Sequence, residues 1–438
     1  MKKIGIGLLG LGTVGQGVAN IINNPNDRHP LVGELELVGI AVRDLQKKRQ
    51  INIPDSILTT NPIEIVNNPQ IQIVVEVMGG IEPAKSLIIQ AIRAGKSVVT
   101  ANKAVIARHG EEISNEAKAA GVYVLIEAAV GGGIPIIEPL KQSLGGNQIT
   151  KVSGIINGTT NYILSRMDKE GVNYADVLKD AQELGYAESD PAADVEGSDA
   201  ADKIAILSGL AFGGAINRSS IPTTGINRLE AVDVNYARKL GYGIKLLAIS
   251  EKDNSPSQIN GSQPLSIWVE PTLVPEDNPL AGVNGVNNAI LVEGNPIGQV
   301  MFFGPGAGSG PTASAVVADI LNIAGIQSMS DNNIFSLDPL LSAKSWRSCH
   351  VAEKKQITKK NYIRLIAKDS PGVIGEIGTI FGQKKISIES IVQFDVTEEE
   401  AEIVVITHKI KQGQLEEALL DIKNLSQVKR IAATMGCL

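Results

Sequence analysis

Apolar and polar positions alternate with two different periods over the first 130 residues. Short, nearly continuous apolar runs predict buried strands at 3–9, 36–42, 71–79, 96–103 and 122–130. Segments with an apolar residue every three or four positions predict helices at 16–24, 83–95 and 110–120. Strands that alternate with helices of this length predict an α/β fold, with a parallel, doubly wound sheet at the N-terminus.

The pattern changes twice further along the chain. A mixed α+β stretch follows residue 130, and periodicity gives way to charge between 331 and 360. From 361 the order of predicted elements is βαββαβ, which is a ferredoxin-like arrangement. We therefore predict a Rossmann-like domain at 1–130, an α+β domain at 131–330 (with 304–330 returning to the first domain), a linker at 331–360 and a ferredoxin-like module at 361–438.

A glycine-rich turn joins the first strand to the first helix. Its glycines have the spacing GxGxxG, and both the preceding strand and the following helix are in place. The first glycine permits a tight turn, the second lets a pyrophosphate approach the backbone, and the third lets helix and strand pack closely. The turn predicts a dinucleotide site with the candidate residues Gly10, Leu11, Gly12, Thr13, Val14 and Gly15.

Two strand ends bear on the cofactor. Arg43 follows the second predicted strand and favours NADP, because an arginine accommodates a 2′-phosphate there; the neighbouring Asp44 leaves NAD open, since a carboxylate there binds a ribose hydroxyl. Lys103 ends the strand at 96–103, at the sheet edge where ligands of such folds bind.

Composition narrows the class of protein. The net charge of −7 argues against a nucleic-acid partner, and two cysteines with four histidines argue against a disulfide framework or a zinc cluster. No apolar run is long enough to span a bilayer, so we expect a cytoplasmic protein without a membrane partner.

Two loops have open interpretations at this level. Three consecutive glycines follow Glu127, and their freed carbonyls could bind a hard cation together with the Glu127 carboxylate, or the loop could be a hinge between domains. The segment 181–203 contains seven carboxylates and one lysine, with Asp199 and Lys203 four apart at the start of an apolar helix. It reads as a solvated acidic loop or as the setting of a proton-donating lysine.

The acidic segment, the turn at 100–103 and the glycine loop together resemble the homoserine dehydrogenase family over residues 1–330. The module from 361, with Asp369-Ser-Pro-Gly372 in its first turn, is similar to amino-acid-binding ACT domains. The acidic segment matches the family signature at Ala181, Gly185, Tyr186, Ala187, Glu188, Asp190, Pro191, Asp194, Val195, Gly197, Asp199 and Lys203.

The resemblance implies NAD(P)-dependent, reversible reduction of L-aspartate 4-semialdehyde to L-homoserine. It also implies that 131–330 is the substrate-binding, catalytic and dimerisation domain and that 361–438 is an ACT-type regulatory domain. It implies that Lys203 donates a proton to the carbonyl oxygen and that Lys103 reaches both cofactor and substrate. Asp199 is the third residue that it assigns to the catalytic group. Substrate-binding residues are then Glu188, Asp194 and Asp199, with Thr159 as a donor suggested by its turn. Beyond the glycine turn, Arg43, Lys103, Gly185 and Gly308 match cofactor positions, and a Na⁺ or K⁺ site matches Glu127, Val130, Gly132 and Ile134.

Alternatives to this enzyme are a dehydrogenase of another small aldehyde and a catalytically silent, amino-acid-responsive dinucleotide sensor. An intact group of acids and lysine argues against the sensor. For the C-terminal module, feedback by an amino acid, threonine by family analogy, stands against a purely structural dimerisation role. Either use leads us to expect a homo-oligomer, a dimer or a tetramer.

Overall fold

A computed structural model describes residues 3–214, 216–253, 263–329, 349–397 and 400–438. The chain divides into two compact units. Unit 1 comprises 1–150, 202–218 and 288–349, and unit 2 comprises 151–201, 219–287 and 350–438.

A six-stranded parallel sheet forms the centre of unit 1. Its strand order is β3-β2-β1-β4-β5-β6, so the order reverses between β1 and β4, where sheets of this type bind dinucleotides. The predicted Rossmann-like sheet is confirmed. The elements are β1 (Ile4–Leu9), α1 (Thr13–Asn23), β2 (Leu35–Ala41), β3 (Leu58–Thr59), α2 (Pro62–Asn67), β4 (Ile73–Glu76), α3 (Ala84–Arg93), β5 (Ser97–Thr100), α4 (Lys103–Ala120) and β6 (Val124–Leu125).

The last strand of this sheet is shorter than its apolar run predicts. A strand was expected over 122–130, but β6 ends at Leu125 and a 3-10 turn follows at Glu127–Ala129. The backbone N–H of Glu127 donates to Asp319 Oδ2 at 2.8 Å instead of to a neighbouring strand. The buried carboxylates of Glu127 and Asp319 therefore redirect the chain where the sheet pattern would have continued.

Unit 2 contains an antiparallel sheet that begins with β7, β8 and β9. Residues 151–154 of β7 pair with β8, and β8 pairs with β9 along eleven residues. The elements of this stretch of chain are β7 (Gln148–Ile155), α5 (Gly158–Glu170), α6 (Tyr174–Glu183), α7 (Ala192–Val195), α8 (Ser198–Phe212), α9 (Ala231–Lys239), β8 (Tyr242–Lys252) and β9 (Gln263–Pro275).

A hairpin and a long helix complete unit 1. The hairpin consists of β10 (Asn287–Asn295) and β11 (Gly298–Pro305), and α10 (Ser309–Met329) follows. Ala313, Val316 and Ile320 of α10 are buried in the same core cluster as Leu8 of β1 and Val18 of α1. The helix that follows the glycine-rich segment at 304–310 thus packs on the same face of the sheet as α1.

The C-terminal module has the predicted βαββαβ order and extends the sheet of unit 2. β17 pairs in parallel with β9 through Gly436 and Cys437, so the sheet continues β9-β17-β13-β15-β14. The ferredoxin-like, ACT-type fold is confirmed. The predicted linker at 331–360 lies mostly outside the described residues. The elements are β12 (Cys349–Val351), β13 (Thr358–Lys368), α11 (Val373–Gln383), β14 (Ile388–Thr397), β15 (Glu400–Thr407), β16 (Ile410–Lys411), α12 (Gln412–Lys423) and β17 (Val428–Cys437).

We found no helix in the described ranges that is both long and apolar enough to span a membrane.

Candidate active site

The turn between β1 and α1 has the geometry of a phosphate cradle. Gly10 has a φ of +109°, which favours glycine. A Cβ on Gly15 would lie 2.3 Å from the Gly10 carbonyl oxygen, whereas a Cβ on Gly12 would meet no atom within 4 Å. The open side of the turn is therefore at Gly12, where the first N–H groups of α1 can bind an anion.

A second glycine-rich segment, residues 304–310, lies beside this turn. Ser309 at the start of α10 donates its hydroxyl to the Thr13 carbonyl at 2.8 Å. Gly308, the residue before it, has a φ of +124°. A Cβ on Gly17 would lie 2.7 Å from the Cβ of Ala313, so α1 and α10 approach closely. The structure thus brings Thr13 and Gly308, two predicted cofactor residues, to the same end of unit 1.

The loop after β2 presents Arg43 to solvent and uses Asp44 internally. The Asp44 carboxylate accepts the backbone N–H of Gln46 at 2.8 Å, and its backbone carbonyl accepts from Arg49 Nη2 at 2.6 Å. Arg43 is exposed. The carboxylate that could have bound a ribose hydroxyl therefore already stabilises its own loop.

A buried polar chain fixes the start of α4. Glu76, fully buried at the end of β4, accepts the Thr100 hydroxyl at 2.6 Å and the Met78 N–H at 2.8 Å. Asn102 caps α4, because it accepts the Val105 N–H at 3.3 Å and donates to the Gly80 carbonyl at 2.7 Å.

These buried hydrogen bonds place Lys103 in the first turn of α4, at the carboxyl end of β5. The sequence alone does not predict Glu76 or Asn102 as site residues. The available signal was a carboxylate inside the apolar run IVVEVMGG, since a charge in a buried strand needs specific partners.

In unit 2 a single amide joins two of the predicted substrate carboxylates. Asn157, the N-cap of α5, donates its Nδ2 to Asp194 Oδ1 at 2.7 Å and to Asp199 Oδ2 at 2.9 Å. Its Oδ1 accepts the N–H of Thr160 at 2.9 Å, which fixes the orientation of the amide. Thr159 Oγ1 is 2.9 Å from Asp194 Oδ2. Two acids and a hydroxyl are thus assembled around Asn157, which the sequence alone does not predict as a site residue.

The other predicted residues of the acidic segment are in different settings. Glu188 is exposed, and its backbone carbonyl accepts from Gln182 Nε2 at 3.1 Å. Gly185 turns the chain after α6 with a φ of +76°. Lys203 and Asp199 lie four residues apart in α8, with exposures of 8% and 4%. The acidic segment is more regular than a loop, because it includes α7 and the first turns of α8.

The glycine loop after Glu127 packs against the chain before α10. Gly132 has a φ of +57°, and a Cβ there would lie 2.5 Å from the Gly306 carbonyl oxygen. Val130 and Ile134 are buried on either side. The Glu127 carboxylate, also buried, accepts the backbone N–H groups of Ile136, Ile137 and Glu138 at 2.6–2.8 Å.

Three carboxylates lie close to one another beside this loop. Oxygens of Glu127, Glu138 and Asp319 lie within 4.8 Å of one another. Burial raises the pKa of Glu127 against the effect of its three N–H donors, and burial raises the pKa of Asp319 to about 8. Lys141 Nζ is 3.1 Å from Glu138 Oε1 and supplies one compensating charge.

Comparison with known proteins identifies the family. Residues 135–321 match the family model described as homoserine dehydrogenase, 10–127 match its NAD-binding domain, and 361–427 match the ACT domain. A homoserine dehydrogenase of Synechocystis is 54% identical over 433 residues, which are 99% of both chains. That of Bacillus subtilis is 38% identical over 438 residues, 99% of this chain and 98% of the relative.

The chain belongs to the homoserine dehydrogenase family. A solved homoserine dehydrogenase from Thiobacillus denitrificans superimposes with a TM-score of 0.88 at 40% identity and covers 100% of this chain and 99% of its own. A hyperthermophilic archaeal homoserine dehydrogenase in complex with NADPH has a TM-score of 0.61 at 29% identity and covers 73% of this chain and 97% of its own. The chain is accordingly an oxidoreductase that acts on a CH–OH group with a nicotinamide dinucleotide.

Proposed function

We propose that Asp194 and Asp199 bind the α-ammonium group of L-aspartate 4-semialdehyde and that Lys203 protonates its reduced carbonyl oxygen. The observation that carries the proposal is the Asn157 amide, which holds both carboxylates at 2.7 and 2.9 Å. Carboxylates attract an ammonium group, and the Asn157 amide keeps these two carboxylates close enough to each other to bind the same one. Asp199 and Lys203 are four residues apart in the sequence of α8.

The bound nicotinamide dinucleotide supplies the hydride. Reduction of the aldehyde carbon leaves negative charge on its oxygen, and a lysine ammonium stabilises that charge and then donates a proton to it. In the reverse direction the neutral amine of Lys203 accepts the hydroxyl proton of homoserine. Lys103, held in the first turn of α4, is proposed to bind the substrate α-carboxylate and the cofactor.

The turn at Gly10–Gly15 fits the pyrophosphate of the cofactor, because Gly12 has open space beside it and α1 begins at the next residue. We propose NADP as the preferred cofactor. Exposed Arg43 can pair with a 2′-phosphate, and Asp44 is held by its own loop through Gln46. Leu11, Val14, Gly185 and Gly308 are proposed as further cofactor contacts.

A monovalent cation, Na⁺ or K⁺, is proposed at the glycine loop. The Glu127 carboxylate already accepts three N–H groups, so backbone carbonyls of the loop suit the cation better than this carboxylate does. Carbonyl oxygens are ligands that hard cations accept. The candidate ligand residues are Glu127, Val130, Gly132 and Ile134.

Regulation and assembly are proposed from two surfaces. The ACT-type module is the candidate site for an amino-acid effector, with threonine as the first choice.

In the described part of the chain β11 pairs only with β10, and it exposes Met301 (40%) and Phe303 (55%) on alternate positions. An exposed apolar edge strand suits a second copy of the chain, so we propose a homo-oligomer. The cytoplasm remains its predicted compartment.

An initial-rate assay tests the proposed substrate and cofactor. We expect turnover of L-aspartate 4-semialdehyde with NADPH, a lower kcat/KM with NADH, and little turnover of aldehydes that lack the α-ammonium group. Equal rates with simple aldehydes would favour the alternative dehydrogenase. Binding of NADPH without turnover of any aldehyde would favour the sensor.

A further inference from the structure

The residue before Lys203 is held by two arginines. Asp202 is 5% exposed, and each of its carboxylate oxygens has its own cationic partner. Arg108 Nη1 lies 3.0 Å from Oδ2, and Arg218 Nε lies 2.7 Å from Oδ1. Charge-assisted hydrogen bonds of this length are among the stronger polar contacts in proteins, so they fix the orientation of the Asp202 side chain.

Arg108 connects this carboxylate to the helix that begins with Lys103. It lies in α4 five residues after Lys103, and the same Nη1 is 3.1 Å from the Ala104 carbonyl in the first turn. That first turn is itself fixed to the loop after β4, because its cap Asn102 donates to the Gly80 carbonyl. The ion pair therefore links the turn that carries Lys103 to the turn of α8 that carries Lys203.

A cavity between α4 and α8 makes this ion pair more important for the separation of the two helices than an ordinary surface ion pair would be. A space of about 660 Å³ is lined by Ile106, Gly110 and Ile113 of α4 and by Ala205, Gly209 and Leu210 of α8. Where side chains of the two helices face open space, close packing does not set their separation. A directional polar contact beside Lys203 can set it instead.

We propose that Asp202 is a positioning residue, which with Arg108 and Arg218 fixes the place of Lys203 relative to Lys103. The inference rests on the proposed roles of the two lysines. A proton donor acts only within hydrogen-bond reach of the developing oxyanion, and a displacement of about 1 Å can cost on the order of 100-fold in rate. Asp202 has no role in proton transfer in this scheme.

The test compares Asp202→Asn, Arg108→Met and the double variant in the full-length enzyme. We expect each single variant to lower kcat, corrected for the folded fraction of the enzyme, roughly 10- to 100-fold. The Kd of NADPH should be unchanged. The double variant should be no slower than the slower single variant, because both changes break the same contact. Arg108→Lys keeps one charged donor and should recover part of the rate.

The matched control is Glu116→Gln, which breaks the contact of α4 with Arg93 of α3 at 2.5 Å and leaves α8 untouched. Its kcat should equal that of the unaltered enzyme. The inference is overturned if Asp202→Asn retains full kcat, if its loss follows the folded fraction alone, or if the double-variant losses multiply. The variant Lys203→Ala separates failure of the proposed function from failure of the positioning role. An active Lys203→Ala enzyme refutes the proposed function. An inactive Lys203→Ala enzyme together with a fully active Asp202→Asn enzyme refutes only the positioning role.

Discussion

Arg364 and Asp233 form a buried, bidentate ion pair that joins the C-terminal module to α9 within unit 2. Arg364 Nε lies 2.7 Å from Asp233 Oδ1 and Nη2 lies 3.0 Å from Oδ2, and both side chains are 1% exposed. Glu402 and Glu230 also pair with this arginine. Burial works to lower the pKa of Arg364, but the hydrogen bonds and charge of Asp233 raise it, so the guanidinium stays charged.

Removing one member of this pair should be costly. Arg364→Met leaves Asp233 buried without its main partner, and we expect the free energy of unfolding to fall by about 3–5 kcal/mol in urea titrations. Lys384→Met, which breaks an exposed contact with Asp421, is the control and should cost far less, because water and salt screen an exposed ion pair. Equal small losses in both variants would show that the buried pair contributes little.

Lys203→Ala tests the proton donor directly. Loss of a general acid should lower kcat by about 10²- to 10⁴-fold, because the developing alkoxide then has to take its proton from water. NADPH binding, measured by fluorescence, should be nearly unchanged. Wild-type-like turnover would remove Lys203 from the mechanism.

Asn157→Ala tests the substrate acids. The amide that holds Asp194 and Asp199 is lost, so the carboxylates can separate and bind an ammonium less well. Loss of charge-assisted hydrogen bonds worth about 1.5–3 kcal/mol predicts a KM for the semialdehyde roughly 10- to 100-fold higher. The Kd of NADPH serves as the internal reference; a parallel rise in that value would point to general damage.

Two glycines of the first turn should respond differently to alanine. Gly15→Ala places a methyl group 2.3 Å from the Gly10 carbonyl oxygen and should cost about 1–3 kcal/mol of stability. Gly12→Ala meets no atom within 4 Å, so the protein should keep its stability. If the pyrophosphate lies at Gly12, the added methyl should still weaken NADPH binding at least about tenfold. Unchanged NADPH affinity in Gly12→Ala would place the phosphates elsewhere.

Asp319 should make stability depend on pH. Burial raises its pKa to about 8, against about 3.9 in an unfolded chain, so unfolding releases a proton between these values. The stabilisation is fully present below about pH 4 and is lost as the pH rises through 8. Relative to Asp319→Asn, the wild-type free energy of unfolding should fall by up to about 1.4 kcal/mol per pH unit between pH 5 and 7. Parallel curves for the two proteins would contradict the raised pKa.

The sequence predicted the order of elements far better than the contacts at the site. Periodicity and the GxGxxG spacing were sufficient for the parallel sheet and the C-terminal module, because both follow from local patterns. Glu76, Asn102 and Asn157 were not selected as site residues, because their importance comes from partners 22 to 42 residues away. No local pattern records such pairings. The short β6 has the same explanation, since Asp319 lies 192 residues beyond Glu127.

The parallel pairing of β17 with β9 also constrains when the chain can finish folding. Gly436 and Cys437 pair with Thr272 and Leu273, more than 160 positions earlier in the sequence. During synthesis from the N-terminus, this edge of β9 stays without its neighbour until the last strand of the module has emerged. Loop closure over such a separation is slow, so unit 2 should acquire its complete sheet only after translation of residue 437.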